Sequence, residues 1–315
     1  MVSETVPFAD DPSRAISLLR EALLARGLPG ESARPWRSAL EEAVAGGTAD
    51  GFLFCRDGSS VGLAVWDPTS PIGATVEVAY LTEGARGTDR YRALFRAIAE
   101  RSGGVAFAPG GLAGLSDSEE QALMRGLGFG RFARSEMRLP PDAVLPPPGP
   151  DPARTFRTVR PTDEAALVAL HRRAYDGQFD QYLFLADRDP DRDAESAVRE
   201  LLGGRWGEFL PWASPIAEGE DGPSGAVIVV RAPYGPLIAD VMVDPDLRGR
   251  GIGRRLLVEC IRVLRDRGEA PVVLNVTEGN ARAVRLYEAL GFVRTIGPSY
   301  GWYSRARIPV SSGID

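Results

Sequence analysis

No lysine occurs in this sequence; all 37 of its basic side chains are arginine. The skew by itself names no function, but it leaves the chain without a lysine amine that it could acylate on itself. Histidine is nearly absent too. His171 stands alone, which argues against a histidine-built metal centre or a serine–histidine–aspartate triad, and no metal is expected. Cys55 and Cys260 both sit among apolar residues, so they read as small buried hydrophobes rather than as a disulfide or a metal pair. There is no excess of positive charge: the net charge is −6, which disfavours general nucleic-acid binding. Neither a long apolar run nor an N-terminal signal pattern is found, and the expectation is a cytoplasmic protein without a membrane partner.

What is present is an order of elements that runs twice. The 315 residues suffice for two domains with separate cores. In the first half, Ile16, Leu18, Leu19, Ala22 and Leu23 mark one face of a helix. Runs over 52–55 and 61–66 flank Arg56-Asp57-Gly58 as a hairpin. A strand over 76–81 is followed by a helix over about 91–99 and by another that ends at Leu127-Gly128-Phe129. Residues 139–152 are too rich in proline for helix or sheet interior and read as an extended linker. Beyond it the order begins again: a strand over 156–160, a helix capped by Pro161-Thr162-Asp163, a helix around 195–202, and a hairpin about Asp221-Gly222. The reading is an internal duplication, with domains at 1–139 and 153–315 joined by 140–152.

The second copy contains the stretch that carries chemistry. A strand, Ile238 to Val243, ends at Asp244-Pro245 and leads into Arg248-Gly249-Arg250-Gly251-Ile252-Gly253. The helix that follows has Leu256, Leu257, Cys260, Ile261 and Leu264 on one face. Alternate glycines ahead of a helix start let consecutive amides point at one external group. The helix N-terminus adds partial positive charge, so the natural guest is a phosphate or pyrophosphate. Arg248, Arg250, Arg254 and Arg255 strengthen that field. The spacing is not Gly-x-Gly-x-x-Gly and no Gly-Lys-Ser/Thr follows, which disfavours a dinucleotide fold and a P-loop. A strand over 272–276 and a helix opened by Asn280, carrying Tyr287 and closed by Gly291-Phe292, complete the stretch.

Arg-x-x-Gly-x-Gly after a strand ending Val-Asp-Pro resembles the coenzyme A loop of the GNAT acyltransferase superfamily. Asn280-x-x-Ala283-x-x-x-Tyr287-x-x-x-Gly291-Phe292 is similar to that family's second signature. The resemblance covers roughly residues 155–305. It implies a mixed α/β (α+β) protein of two tandem GNAT-like domains, each a mostly antiparallel sheet flanked by helices. It also implies acetyl transfer from acetyl-coenzyme A to a primary amine of a small molecule or peptide. The cofactor contacts it implies are Met242 and Val243 through their backbone, then Arg248, Gly249, Arg250, Gly251, Ile252, Gly253, Arg254 and Asn280. Tyr287 takes the place of the acid that protonates the departing thiolate. Many members carry a glutamate early in the strand to help remove the ammonium proton; here that position is Leu237, which cannot. Asp240 is the nearest ionisable group in the strand, on the face of Ile238 and Met242 by simple alternation unless a bulge inverts it, and Glu278 is the other candidate. Tyr175, Phe179, Asp180 and Tyr182 combine aromatic walls with polar points, as a substrate pocket does. Asp187, Asp189, Asp191 and Asp193 add negative charge, suited to a cationic amine or simply a solvated face. A non-catalytic acyl-coenzyme A-binding module is the competing reading, and the acceptor and oligomeric state are not legible.

Aligning the two copies sets Arg86-Gly87 opposite Arg248-Gly249, Asp89 opposite Gly251, Tyr91 opposite Gly253, and Leu123-Met124 opposite Leu286-Tyr287. The first copy keeps packing residues and loses chemical ones, so one coenzyme A per chain is expected.

Overall fold

The computed structural model describes residues 3–25, 34–67, 74–147, 155–184, 190–220, 222–232, 234–295 and 299–305. The chain forms two compact units, 1–132 with 300–315 and 133–299. The first contains β1 (Ser3–Val6), α1 (Pro12–Ala25), α2 (Arg34–Ala45), β2 (Asp50–Arg56), β3 (Ser59–Asp67), β4 (Ala74–Leu81), α3 (Thr88–Ser102), β5 (Val105–Pro109), α4 (Asp117–Gly126), the start of β6 (Phe129–Leu139), and the last strand, β14 (Ser299–Ser304). Its strands run in the order β1-β2-β3-β4-β5-β14, with β4 and β5 parallel. The β2–β3 turn is made by Asp57 and Gly58, both at positive φ (50° and 76°), as a two-residue hairpin turn requires. Leu18, Leu19, Ala22 and Leu23 of α1 cover Leu53, Leu63 and Val78 on one sheet face. Leu94, Phe95 and Ile98 of α3 cover Phe52, Phe54 and Trp66 on the other, the outcome expected when side chains alternate across a pleated sheet.

The second unit contains the rest of β6, then β7 (Phe156–Thr158), α5 (Glu164–Tyr175), α6 (Phe179–Phe184), α7 (Pro190–Leu202), β8 (Glu208–Phe209), β9 (Pro215–Gly219), β10 (Gly222–Ala232), β11 (Gly235–Val243), α8 (Ile252–Asp266), β12 (Val272–Thr277), α9 (Ala281–Ala289) and β13 (Val293–Arg294). The order is β6-β12-β11-β10-β9-β7, with β11 and β12 parallel. Helix α8 buries Leu256, Leu257, Cys260, Ile261 and Leu264 against Val227, Val229 and Leu274. On the opposite face, Leu167 and Leu170 of α5 and Val198 of α7 cover Ile216, Ala226 and Ile228. The architecture is therefore the mixed α/β one expected. The units divide at 132/133 and 299/300, rather than at the proline run. Strand pairing is the reason: residues 134–139 bond to β12 and 301–303 to β5. Both cysteines are free and buried. Among the described residues no helix is long and apolar enough to cross a membrane.

Candidate active site

The site is built around an irregularity in β11. Asp240 pairs with Ile228, but the next pair is Ile238 with Val229, so Ala239 is an extra residue. Such a bulge resets which way the following side chains point. Ile238 packs with α8, whereas Met242 packs with α5. Asp240 also turns to α5, where the Tyr175 hydroxyl donates to its Oδ1 at 2.8 Å and His171 Nε2 lies 3.7 Å from Oδ2. Simple alternation had put Ile238 on the face of Asp240 and Met242; the bulge places it on the other.

The bulge has a second effect. β11 and β12 pair only at Leu237–Val273 and Ile238–Leu274. Past that point, residues of both strands, Val241 and Val243 on one side and Asn275 and Val276 on the other, line a cavity of about 980 Å³. That is ample for a ligand of cofactor size.

The glycine loop closes one end of this cavity. Gly249 and Gly251 adopt φ of 82° and 83°, and a Cβ on either would meet no atom within 4 Å. Glycine is thus required by conformation, and the backbone there is uncovered. Gly251 is the N-cap of α8, which brings the positive end of the helix to the cavity. Gly253 has a different reason: a Cβ would lie 3.3 Å from Val243 Cγ2 and 3.6 Å from Leu286 Cδ2, so it keeps α8 close to β11 and α9. The expected loop contacts Arg248, Gly249, Gly251, Ile252, Gly253 and Arg254 line the cavity, as does Val243; Arg250 is exposed and Met242 is core, and neither does. The Arg248 guanidinium donates to the Val243 carbonyl at 3.3 Å and to the Ala174 carbonyl, tying the loop to β11 and α5. Burial, then the nearby Arg282, lowers its pKa.

Tyr287 enters from α9, buried, its ring 6.0 Å from that of Phe292. Burial raises its pKa, Asp240 and Asp180 add to the effect, and Arg134 opposes it. Asn280 caps α9, accepting from the Ala283 amide at 3.1 Å, while its Nδ2 donates to Asp180 Oδ2 at 3.5 Å. Burial also raises the pKa of Asp240, against the opposing pull of His171, the Tyr175 hydroxyl and the Val241 amide. Glu278 is committed elsewhere: Ser135 donates to it and Arg294 holds it through Nε and Nη2 at 2.9 and 3.1 Å. Those bonds lower its pKa, the wrong direction for a base.

Toward α5, α6 and α7 the cavity is lined by Tyr175, Gln178, Asp180 and Asp193. Phe179 is half-buried and does not line it. The side chain of Tyr182, and Asp187 and Asp189, lie outside the described residues. Asp191 pairs with Arg172 at 2.7 Å on the surface. The sequence reading passed over Arg134, His171, Glu200, Trp206 and Arg282, all of which line the cavity. Arg134 sits on β6, a strand that carries arginines at nearly every third position and shows no apolar run.

The first unit has the same landmarks. Its strand β4 bulges at Glu77, between the pairs Val65–Val78 and Trp66–Val76. The Arg86 guanidinium donates to the Leu81 carbonyl at 3.3 Å, as Arg248 does to Val243. From there the two diverge. Helix α3 already starts at Thr88, with Asp89 in its first turn. Tyr91 is fully buried, donates to the Ala113 carbonyl at 3.1 Å, and has its pKa pushed up to about 12 by burial.

The signature of the Acetyltransferase (GNAT) family matches residues 172–292, from α5 through the glycine loop to Phe292. A mycothiol acetyltransferase of Thermobispora bispora is 33% identical over 255 residues, covering 77% of this chain and 80% of that protein. The chain belongs to the GNAT acetyltransferase family. A second mycothiol acetyltransferase, from Acidothermus cellulolyticus, is 34% identical over 256 residues, covering 73% of this acetyltransferase and 72% of its relative. In fold, the acetyltransferase is similar to a GCN5-related N-acetyltransferase from Sphaerobacter thermophilus (TM-score 0.63, 21% identity, 100% and 97% of the two chains). It is also similar to a tandem GNAT protein from the clavulanic acid biosynthesis pathway (TM-score 0.57, 19% identity, 96% and 98%). GNAT acetyltransferases use acetyl-coenzyme A as the acetyl donor.

Proposed function

We propose that the second unit transfers acetyl from acetyl-coenzyme A to a primary amine of a small molecule or peptide, and that the first unit is a degenerate copy without a coenzyme site. The protein would act in the cytoplasm. The observation that carries this is the single cavity joining the uncovered loop backbone, Gly249 to Gly251, with Tyr287 and Asp240. Loop amides and the α8 N-terminus suit the pyrophosphate, with Arg254 and Arg282 adding charge. The amine nitrogen attacks the thioester carbonyl carbon, the C–N bond forms, and the C–S bond breaks. A backbone N–H at the end of β11 steadies the oxyanion. The departing thiolate takes the Tyr287 proton, and the amine's proton leaves toward the buried cluster around Asp240. Burial makes Tyr287 a weaker acid, but a thiolate released in the same buried place is itself a stronger base, which keeps the transfer feasible.

A panel of small amines with free-thiol detection tests the reading, and a mycothiol-related amine heads it because of the relatives' names. Coenzyme A release that depends on an acceptor supports transfer. Tight binding of acetyl-coenzyme A with no release for any amine would favour a non-catalytic acyl-coenzyme A-binding module.

A further inference from the structure

With leucine at 237, β11 offers Asp240 as its one carboxylate, and beside it lies the chain's single histidine. His171 is 3% exposed and lines the cavity. Its ring stacks on Tyr175, one helical turn on, at 4.4 Å and 22°. Tyr175 in turn donates to Asp240 Oδ1, and the other carboxylate oxygen faces His171 Nε2 at 3.7 Å. Three side chains thus fix one another. The remaining ring nitrogen, Nδ1, is buried and has no hydrogen-bond partner. A core histidine kept for packing has its nitrogens satisfied, because an unpaired buried polar atom costs about 1–3 kcal/mol. A carboxylate beside Nε2 favours the tautomer with the proton on Nε2, which leaves the lone pair on Nδ1.

We propose that His171, oriented by Asp240 and Tyr175, takes the proton that leaves the acceptor amine. The inference rests on the acetyl-transfer reading. As the C–N bond forms, the amine's N–H pair moves to nitrogen and its proton to His171 Nδ1, giving an imidazolium next to the Asp240 carboxylate. The C–S electron pair leaves on sulfur and takes the Tyr287 proton, and the imidazolium returns its proton to solvent after product departs. Asp240 is then a positioning residue rather than the proton's resting place.

The surroundings bear on when His171 is free to accept. From α5 itself, Arg172 and Arg173 point to Asp191 and Asp244. Asp163, before α5, is held by Arg157. Arg231 of β10 is turned out to Glu208 and Glu269. Asp240 from β11, Asp180 from α6, Asp193 and Glu200 from α7, Arg134 from β6 and Tyr287 from α9 share the cavity. Burial lowers the pKa of His171 and Asp240 opposes it, so the imidazole is neutral and able to accept near pH 7.

Because His171 is the only histidine, the tag-free wild-type protein gives a single imidazole Cε1–H resonance, which can be titrated with coenzyme A bound. The expected midpoint lies below about 6.5 and within about half a pH unit of the acid limb of kcat/KM. His171→Asn and His171→Gln are expected to lose roughly 10²-fold in kcat/KM, with acetyl-coenzyme A affinity unchanged. A resonance that does not titrate across the acid limb, or either variant folding and keeping wild-type turnover, would overturn the inference. Failure of the underlying reading is seen separately, as wild-type protein that binds acetyl-coenzyme A and acetylates no amine.

Discussion

Two loops in one chain follow equivalent bulged strands and carry the same arginine clamp, and only one of them has a second positive-φ glycine before its helix. In the second unit, Gly249 and Gly251 hold the backbone at positive φ ahead of α8, and nothing covers them. In the first unit the helix begins at Thr88, directly after Gly87, and Tyr91 in its first turn is fully buried. The shared part is architecture: Arg86 and Arg248 each donate to a strand-end carbonyl at 3.3 Å.

The sharpest way to break the comparison is to give the working loop the first copy's residue. In Gly251→Asp, a carboxylate about 4 Å from a pyrophosphate at an effective dielectric of about 20 costs on the order of 4 kcal/mol. Acetyl-coenzyme A binding is expected to fall roughly a thousandfold by calorimetry, with the melting temperature as a check on folding. Next in size, Tyr287→Phe is expected to lower turnover by about 10²-fold while leaving coenzyme affinity nearly intact; unchanged turnover would return Tyr287 to a packing role. Asp240→Asn is expected to slow the reaction by about 10- to 10²-fold, most where the amine is charged. Its pH dependence has a defined sign. Burial lowers the His171 pKa and Asp240 opposes it, so wild-type activity is lost on acidification through a midpoint below about 6.5, and Asp240→Asn, which removes the opposing carboxylate, is expected to move that limb to lower pH. A limb that Asp240→Asn leaves in place would count against Asp240. The smallest effect is expected in the first unit: Asp89→Gly should create no measurable second site, because the early start of α3 and the buried Tyr91 remain.

Much of this was legible because the informative residues are local. Arg248 to Gly253 and Asn280 to Phe292 state their conformations in consecutive residues, and the β2–β3 hairpin announces itself by Asp57-Gly58. Strand β6 was not legible: its arginines, at nearly every third position, interrupt any apolar pattern, and its pairing with β12 is a long-range matter. Arg134 was missed with it. The side of β11 on which Asp240 lies depended on one extra residue, Ala239, which no propensity reveals. His171 was legible as a residue but not as a neighbour, because its contact with Asp240 crosses from α5 to β11.

The central claim is that one of the two units binds the donor. Calorimetric titration of the full chain with acetyl-coenzyme A measures this directly. One molecule per chain is expected, and none at micromolar concentrations in Gly251→Asp. A stoichiometry of two, with one site persisting in Gly251→Asp, would contradict it.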